Sequence, residues 1–223
     1  MSRRTHLRHA LLLPAGAALL AAVLLLAAVP QVLAGNGLYG DAAPDDAAFV
    51  RVVNAGGEET VGPVWIGAAE YTGLEPLSVS AYRPVAPEIH QVMLGDHTAE
   101  LIARAGDYYT VVYHPDGLAV LEDTEHTRPD RAQIIVYNFS QHEELELRTA
   151  EGETTVVPAV PESEARDVAV NPVPIELALF AEGEPVEQIG DLGLARGQSY
   201  AVFAVYLDGE LQSFTAQAEL EVE

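Results

Sequence analysis

Beyond residue 34 the chain alternates apolar and polar side chains with a period of two, and it almost nowhere spaces apolar residues as a helix would. Leu77, Val79 and Ala81 share one face against Ser78, Ser80 and Tyr82. Leu145 and Leu147 alternate with Glu144, Glu146 and Arg148. Ile175, Leu177 and Leu179 follow the same rule, as do Phe214, Ala216, Ala218, Leu220 and Val222. Successive side chains of a strand point to opposite faces, so this spacing predicts half-buried antiparallel strands. Tyr108 to Tyr113 and Tyr200 to Leu207 are apolar on both faces, which predicts central strands. The expected class is all-β.

The chain also repeats itself. Gly106-Asp107-Tyr108-Tyr109-Thr110-Val111-Val112 matches Gly197-Gln198-Ser199-Tyr200-Ala201-Val202-Phe203, and each run leads to an Asp-Gly hairpin signal, at Asp116-Gly117 and Asp208-Gly209. Upstream, Val50-Arg51-Val52-Val53-Asn54 matches Ile134-Ile135-Val136-Tyr137-Asn138, again a strand ending in Asn. Between the halves, residues 122–131 are charged and broken by Pro129, as a linker is. The pattern predicts two tandem immunoglobulin-like antiparallel β-sandwich domains, at residues 35–124 and 132–223, joined by a charged linker at 125–131. The Tyr of each Gly-x-x-Tyr run, Tyr109 and Tyr200, is expected to be a buried structural Tyr, with a tyrosine corner, its hydroxyl bonded back to a loop, as the other reading.

Residues 1–34 differ from the rest. Arg3, Arg4 and Arg8 precede an uncharged apolar stretch from Ala10 to Val29, then Pro30 and the small-residue site Val32-Leu33-Ala34. This is the layout of a signal peptide, with cleavage expected between Ala34 and Gly35 and an uncleaved membrane anchor as the competing outcome. No later run is apolar enough to span a bilayer. The remainder carries all 34 acids against 8 of the 11 Arg and no Lys, a net charge of −26. Such a body repels nucleic acid and other polyanions, whose binding needs clustered cations. The absence of Cys removes disulfides and thiol chemistry.

Acyl transfer needs an activated nucleophile, a base within reach and an oxyanion hole. The sequence holds no Gly-x-Ser-x-Gly elbow. In Gly95-Asp96-His97-Thr98 a His stands where a nucleophile would, and Ser140 with His142 fits a hairpin as well as a dyad. His90, His97, His114, His126 and His142 lack zinc spacing; Asp123, Glu125 and His126 are the best cation candidates, in a stretch expected to be acidic anyway. No catalytic residue, metal or cofactor is therefore expected. Trp65, Tyr71, Tyr82, Tyr113 and Tyr137 are candidates for sugar stacking, with Tyr82, Arg83 and His90 the best local glycan contact. Leu38 and Tyr39 are apolar without an assigned strand; they are expected to pack as an edge strand on the first domain, with docking into a partner by strand addition as the alternative. Asn138-Phe139-Ser140 matches the glycosylation sequon at chance level.

Leu38-Tyr39-Gly40-Asp41-Ala42-Ala43-Pro44, followed by Ala48-Phe49-Val50-Arg51-Val52-Val53-Asn54-Ala55, resembles the start of mature members of the AlgF family of alginate biosynthesis proteins. The resemblance continues, in the same order, through Asp107 to Val112, Leu145 to Thr154, and Asn171-Pro172-Val173 into Glu176 to Phe180. It implies a non-catalytic periplasmic component of alginate O-acetylation during exopolysaccharide biosynthesis. Its implied partners are periplasmic acetyltransferases and a membrane-bound O-acyltransferase, with any membrane contact made through them or an uncleaved leader. A carbohydrate-binding module holding nascent polymer, in weak contact with alginate, is the alternative expectation. The lack of Lys departs from the family and puts in doubt any contact that relatives make through basic residues.

Overall fold

The residues that alternate form strands, and those apolar on both faces lie between two layers. The structure, a computed structural model, describes residues 43–57 and 59–222. The expected signal peptide, its cleavage site at Ala34 and Gly35, and the candidates Leu38 and Tyr39 lie outside the described residues. The described chain is all-β. Its first half holds β1 (Ala48–Asn54), β2 (Val64–Ile66), β3 (Ala69–Tyr71), β4 (Ser78–Val79), β5 (Arg83–Val85), β6 (Ile89–Leu94), β7 (His97–Ile102), β8 (Tyr108–His114) and β9 (Gly117–Asp123). The second holds β10 (Ala132–Phe139), β11 (Glu144–Thr149), β12 (Thr155–Pro161), β13 (Glu164–Val170), β14 (Glu176–Ala181), β15 (Glu184–Asp191), β16 (Ser199–Leu207) and β17 (Glu210–Gln217).

These strands stack in four layers. The hairpins β2-β3 and β6-β7 cover one face of the sheet β4-β1-β8-β9, to which β5 adds beside β1. The sheet β13-β10-β16-β17 packs by one face on the sheet β12-β11-β14-β15. The remaining faces of the two large inner sheets meet each other, and Val53, Val112, Ile135, Tyr137, Phe203 and Val205 are buried between them. Val50, Val52 and Val111 point instead into the first outer core, and Ile134, Val136 and Val202 into the second. β1, β8, β10 and β16 are thus apolar on both faces because both faces are covered, which accounts for the continuous apolar runs. The described residues form one compact unit.

The repeat is reproduced in detail. Asn54 Nδ2 donates to the carbonyls of Glu59 and Leu74, both at 3.0 Å, while its Oδ1 accepts the Gly56 N–H at 3.2 Å. Asn138 does the same with His142 and Val160 at 3.0 Å and with the Ser140 N–H at 3.1 Å. Each Asn satisfies backbone groups that the end of a buried strand would otherwise strand without water. The hydroxyls of Tyr109 and Tyr200 accept the N–H groups of Arg104 and Ala195, at 3.2 and 3.0 Å. Both Asp-Gly signals lie at hairpins, β8 with β9 and β16 with β17. Asp208 and Gly209 both take positive φ, 54° and 86°, the backbone that a two-residue turn requires.

Two features differ from the expected pattern. β1 pairs with β8 in parallel, as β10 does with β16, whereas antiparallel ladders were expected throughout. Alternation has the same period in either ladder, so it is silent on direction. The last strand, expected to run through Leu220 and Val222, ends at Gln217. The following residues leave the sheet and cross to the first half, where the Tyr82 N–H donates to the Glu219 carbonyl at 2.8 Å and the Glu221 N–H to the Tyr82 carbonyl at 2.9 Å. Backbone pairing with a distant segment outcompetes extension of β17.

Candidate functional site

Val50-Arg51-Val52-Val53 puts one cation in the middle of a buried strand, and an unpaired guanidinium there would cost several kcal/mol. Arg51 is 1% exposed. Because β1 alternates, Val50 and Val52 enter the first core and Arg51 faces the second half. There its Nε donates to Thr110 Oγ1 at 2.8 Å and its Nη2 to the Tyr137 hydroxyl at 2.7 Å. Each hydroxyl passes its own hydrogen to the buried carboxylate of Asp123, Tyr137 to Oδ1 and Thr110 to Oδ2. Tyr82 donates a third bond, to Oδ2 at 2.7 Å. The guanidinium also lies 4.6 Å from the Tyr82 ring centroid, a cation–π distance. Cation and anion are joined through two hydroxyls, each accepting from one and donating to the other.

β1, β8, β9 and the segment before β5 supply four members of this cluster, while Tyr137 comes from β10 of the second half. The positions that the repeat equates with Arg51 and Thr110 are Ile135 and Ala201, so the second half has no counterpart. Beside it opens a cleft of about 180 Å³, bordered by Tyr108, Asp123, Glu125, His126, Gln133 and Glu219. The Asp123 carboxylate is spent on three hydroxyl donors, which fits the cluster to holding two sheets together rather than to moving protons.

Electrostatics follow from burial. Burial pushes the phenols of Tyr71, Tyr82 and Tyr137 above their ordinary value of 10, and for the latter two Asp123 adds to the rise while Arg51 opposes it. For Arg51 burial works downward, but Tyr137, Tyr82 and Asp123 outweigh it and hold the guanidinium above its usual range. A folded-state value raised above the unfolded one favours the protonated form, so its stabilisation is complete below the unfolded pKa and is lost as pH rises beyond it. Stability should therefore not fall on account of these phenols up to about pH 10, and then decline steeply. Melting temperature against pH, read beside tyrosinate absorbance, checks this. Phenols that ionise near pH 10 with the fold intact would contradict it.

The structure separates the sequence candidates. Tyr82 is buried in the cluster. Arg83 pairs with Glu221 at 2.8 Å, its guanidinium 5.8 Å from the Tyr71 ring. His90 is buried, its Nε2 donating to the Ala86 carbonyl at 2.8 Å. These three make no exposed glycan platform, and of the five aromatics considered only Trp65 stands exposed. Ser140 is buried, its Oγ donating to Asn138 Oδ1 at 2.6 Å and accepting the His142 N–H at 3.2 Å, so the pair forms a turn. The sequon residue Asn138 is fully buried with its amide engaged. His97 sits at the β6-β7 turn with its ring 5.9 Å from Tyr113. Of the cation candidates, Asp123 is in the cluster and His126 hydrogen-bonds the Arg131 carbonyl at 3.1 Å. Among the described residues no group of three or more His, Cys, Asp or Glu is placed to hold a metal, and no helix is long and apolar enough to cross a membrane. Sequence reasoning passed over Arg51 and Thr110. The available signal was a lone charge in a strand otherwise apolar on both faces.

Comparison with known proteins relates most of the chain to one family. A family model described as "Alginate O-acetyl transferase AlgF" matches residues 21–201. The chain is 31% identical over 175 residues to the alginate biosynthesis protein AlgF of Pseudomonas aeruginosa, covering 78% of this chain and 80% of that one. It is 30% identical over 180 residues to AlgF of Azotobacter vinelandii, covering 80% of each, and 29% over 185 residues to AlgF of Pseudomonas syringae, covering 82% of each. A solved structure of the C-terminal domain of AlgF from P. aeruginosa aligns with a TM-score of 0.37 and 32% identity, covering 40% of this chain and 98% of that domain. A match that runs through both halves, with relatives of similar length along most of their own chains, places this chain in the AlgF family of alginate biosynthesis proteins.

Proposed function

We propose that this AlgF-family chain is a non-catalytic periplasmic component of alginate O-acetylation, an adaptor linking the periplasmic acetyltransferases to the membrane-bound O-acyltransferase. The observation that carries this reading is Ser140: the hydroxyl nearest to a nucleophile pattern is buried and committed to the turn that ends β10. Two halves joined face to face through an internal core supply the rigidity an adaptor needs, since the contact is buried like a domain interior. The net charge of −26 beyond residue 34 supports contact with basic protein surfaces over contact with a polyanionic polymer.

The description of the family model as a transferase makes catalysis the rival reading. The decisive experiment has two arms. Purified protein with an activated acetyl ester should release no acetate above buffer. Deleting the gene in its host should lower ester-linked acetyl per uronate while polymer yield persists. Turnover lost in a folded Ser140→Ala variant would replace the adaptor by an enzyme, and unchanged acetyl content would remove the role in O-acetylation.

A further inference from the structure

The outer layer of the first half turns Val64, Ile66, Val92, Leu94 and Leu101 into the core, and alternation then sends their neighbours to solvent. Gln91 and Glu100 among those neighbours are polar, as expected of a solvated face, but four others are large and apolar. Trp65 is 54% exposed, Ile89 62%, Met93 66% and Ile102 53%, four of the six large hydrophobic residues exposed among the described residues. Trp65 is the chain's only Trp. Ile89 stands directly opposite Ile102 across the β6-β7 ladder, so the two share a face. β2 packs beside β6, which brings Trp65 to the same layer. Large exposed apolar residues concentrated on one face mark an interaction site, and Trp and Met are enriched in protein interfaces.

The charged side chains among and around these residues are acidic. Glu70 stands opposite Trp65 and Glu88 just before β6, both exposed, while the exposed hydrogen-bonded pair Gln91 and Glu100 lies on the same face between the Ile89–Ile102 pair and Met93. β2, β3, β6 and β7 contain no Arg and no Lys. Apolar side chains interspersed with carboxylates are complementary to apolar side chains interspersed with cations, and they repel both a second copy of this acidic chain and a uronate polymer.

We infer that the outward face of β2-β3 and β6-β7 is the docking surface for a folded partner protein of the acetylation machinery, one presenting apolar side chains interspersed with Lys and Arg. The inference rests on the proposed adaptor role and names where it is exercised.

The test places a photo-crosslinking residue at Met93 of the full chain in its host, and a second, as control, at Val173, exposed in the other half. The Met93 adduct should contain a Lys- or Arg-bearing peptide of an O-acetylation protein, and the Val173 position should not. Trp65→Ala with Met93→Ala should move the melting temperature by no more than about 2 °C, since both side chains are exposed, yet bring acetyl per uronate down to the level of the deletion. Glu100→Arg should weaken capture of the crosslinked partner on the order of tenfold. Adducts only with the chain's own copies or with polysaccharide, or none, would overturn the inference. So would full acetylation by the double variant in a strain whose acetylation depends on the gene. If deletion itself leaves acetylation unchanged, the proposed function falls, while a Met93 adduct with a basic protein still upholds the surface.

Discussion

Arg51→Ala is expected to cost about 3–5 kcal/mol of unfolding free energy, the range found when one partner of a buried charge pair is removed. The loss has three sources. Asp123 keeps its charge in the inter-sheet layer with the cation gone. Thr110 and Tyr137 lose the donors that fixed their hydroxyls toward that carboxylate. The ring of Tyr82 loses the guanidinium stacked at 4.6 Å. Arg51→Lys should recover only part of the loss, because an ammonium is a point donor and cannot hold the planar fork that reaches two hydroxyls at once. Arg51→Met combined with Asp123→Leu, which removes both charges and fills the space, should be closer to wild type than Arg51→Ala. Urea unfolding of the four proteins decides it. A loss below about 1 kcal/mol for Arg51→Ala would mean that water reaches the cluster, since only solvated pairs are worth so little.

Phe203→Ala should be of similar size, about 3–5 kcal/mol, and should change the form of unfolding as well as its midpoint. Phe203 stacks on Tyr137 with ring centroids 4.4 Å apart and on Phe214 at 4.9 Å, at the centre of the layer between the two inner sheets. Removing it opens a void where the halves meet, so the wild-type transition, expected to be single, should broaden or divide in calorimetry. Leu179→Ala is the control. Leu179 is fully buried in the core internal to the second half. That variant should lose comparable stability while the transition stays single. A sharp single transition for Phe203→Ala would show that the contacts left between the halves, the Arg51 cluster and the backbone crossing at Tyr82 and Leu220 among them, are enough to couple them.

Much of the fold was legible because it depends on short-range spacing. Leu145 and Leu147 are buried beside partly or fully exposed Glu144, Glu146 and Arg148, as the alternation predicts. Asn54, Asn138, Tyr109 and Tyr200 were found by comparing the halves, and each pair makes matching bonds because a motif closing over a few residues carries its partners with it. The place of Tyr82 was not legible, for the opposite reason. Its partner Asp123 is 41 residues away, so a side chain that reads as half of a surface Tyr-Arg pair became an interior donor. Arg51 went unnoticed because its hydroxyl partners, Thr110 and Tyr137, lie 59 and 86 residues along the chain.

Local alternation and repetition thus determined that this chain is all-β, where most of its strands run, and which turns and strand ends recur in both halves. The tertiary structure alone decided that the two inner sheets face each other, that β1 and β8 run parallel, that the C-terminal residues cross to the first half, and that Arg51 and Asp123 meet through shared hydroxyls. The physical reason is that a pleated strand has two faces. Its sequence records whether each face is dry, but not which distant segment keeps it so.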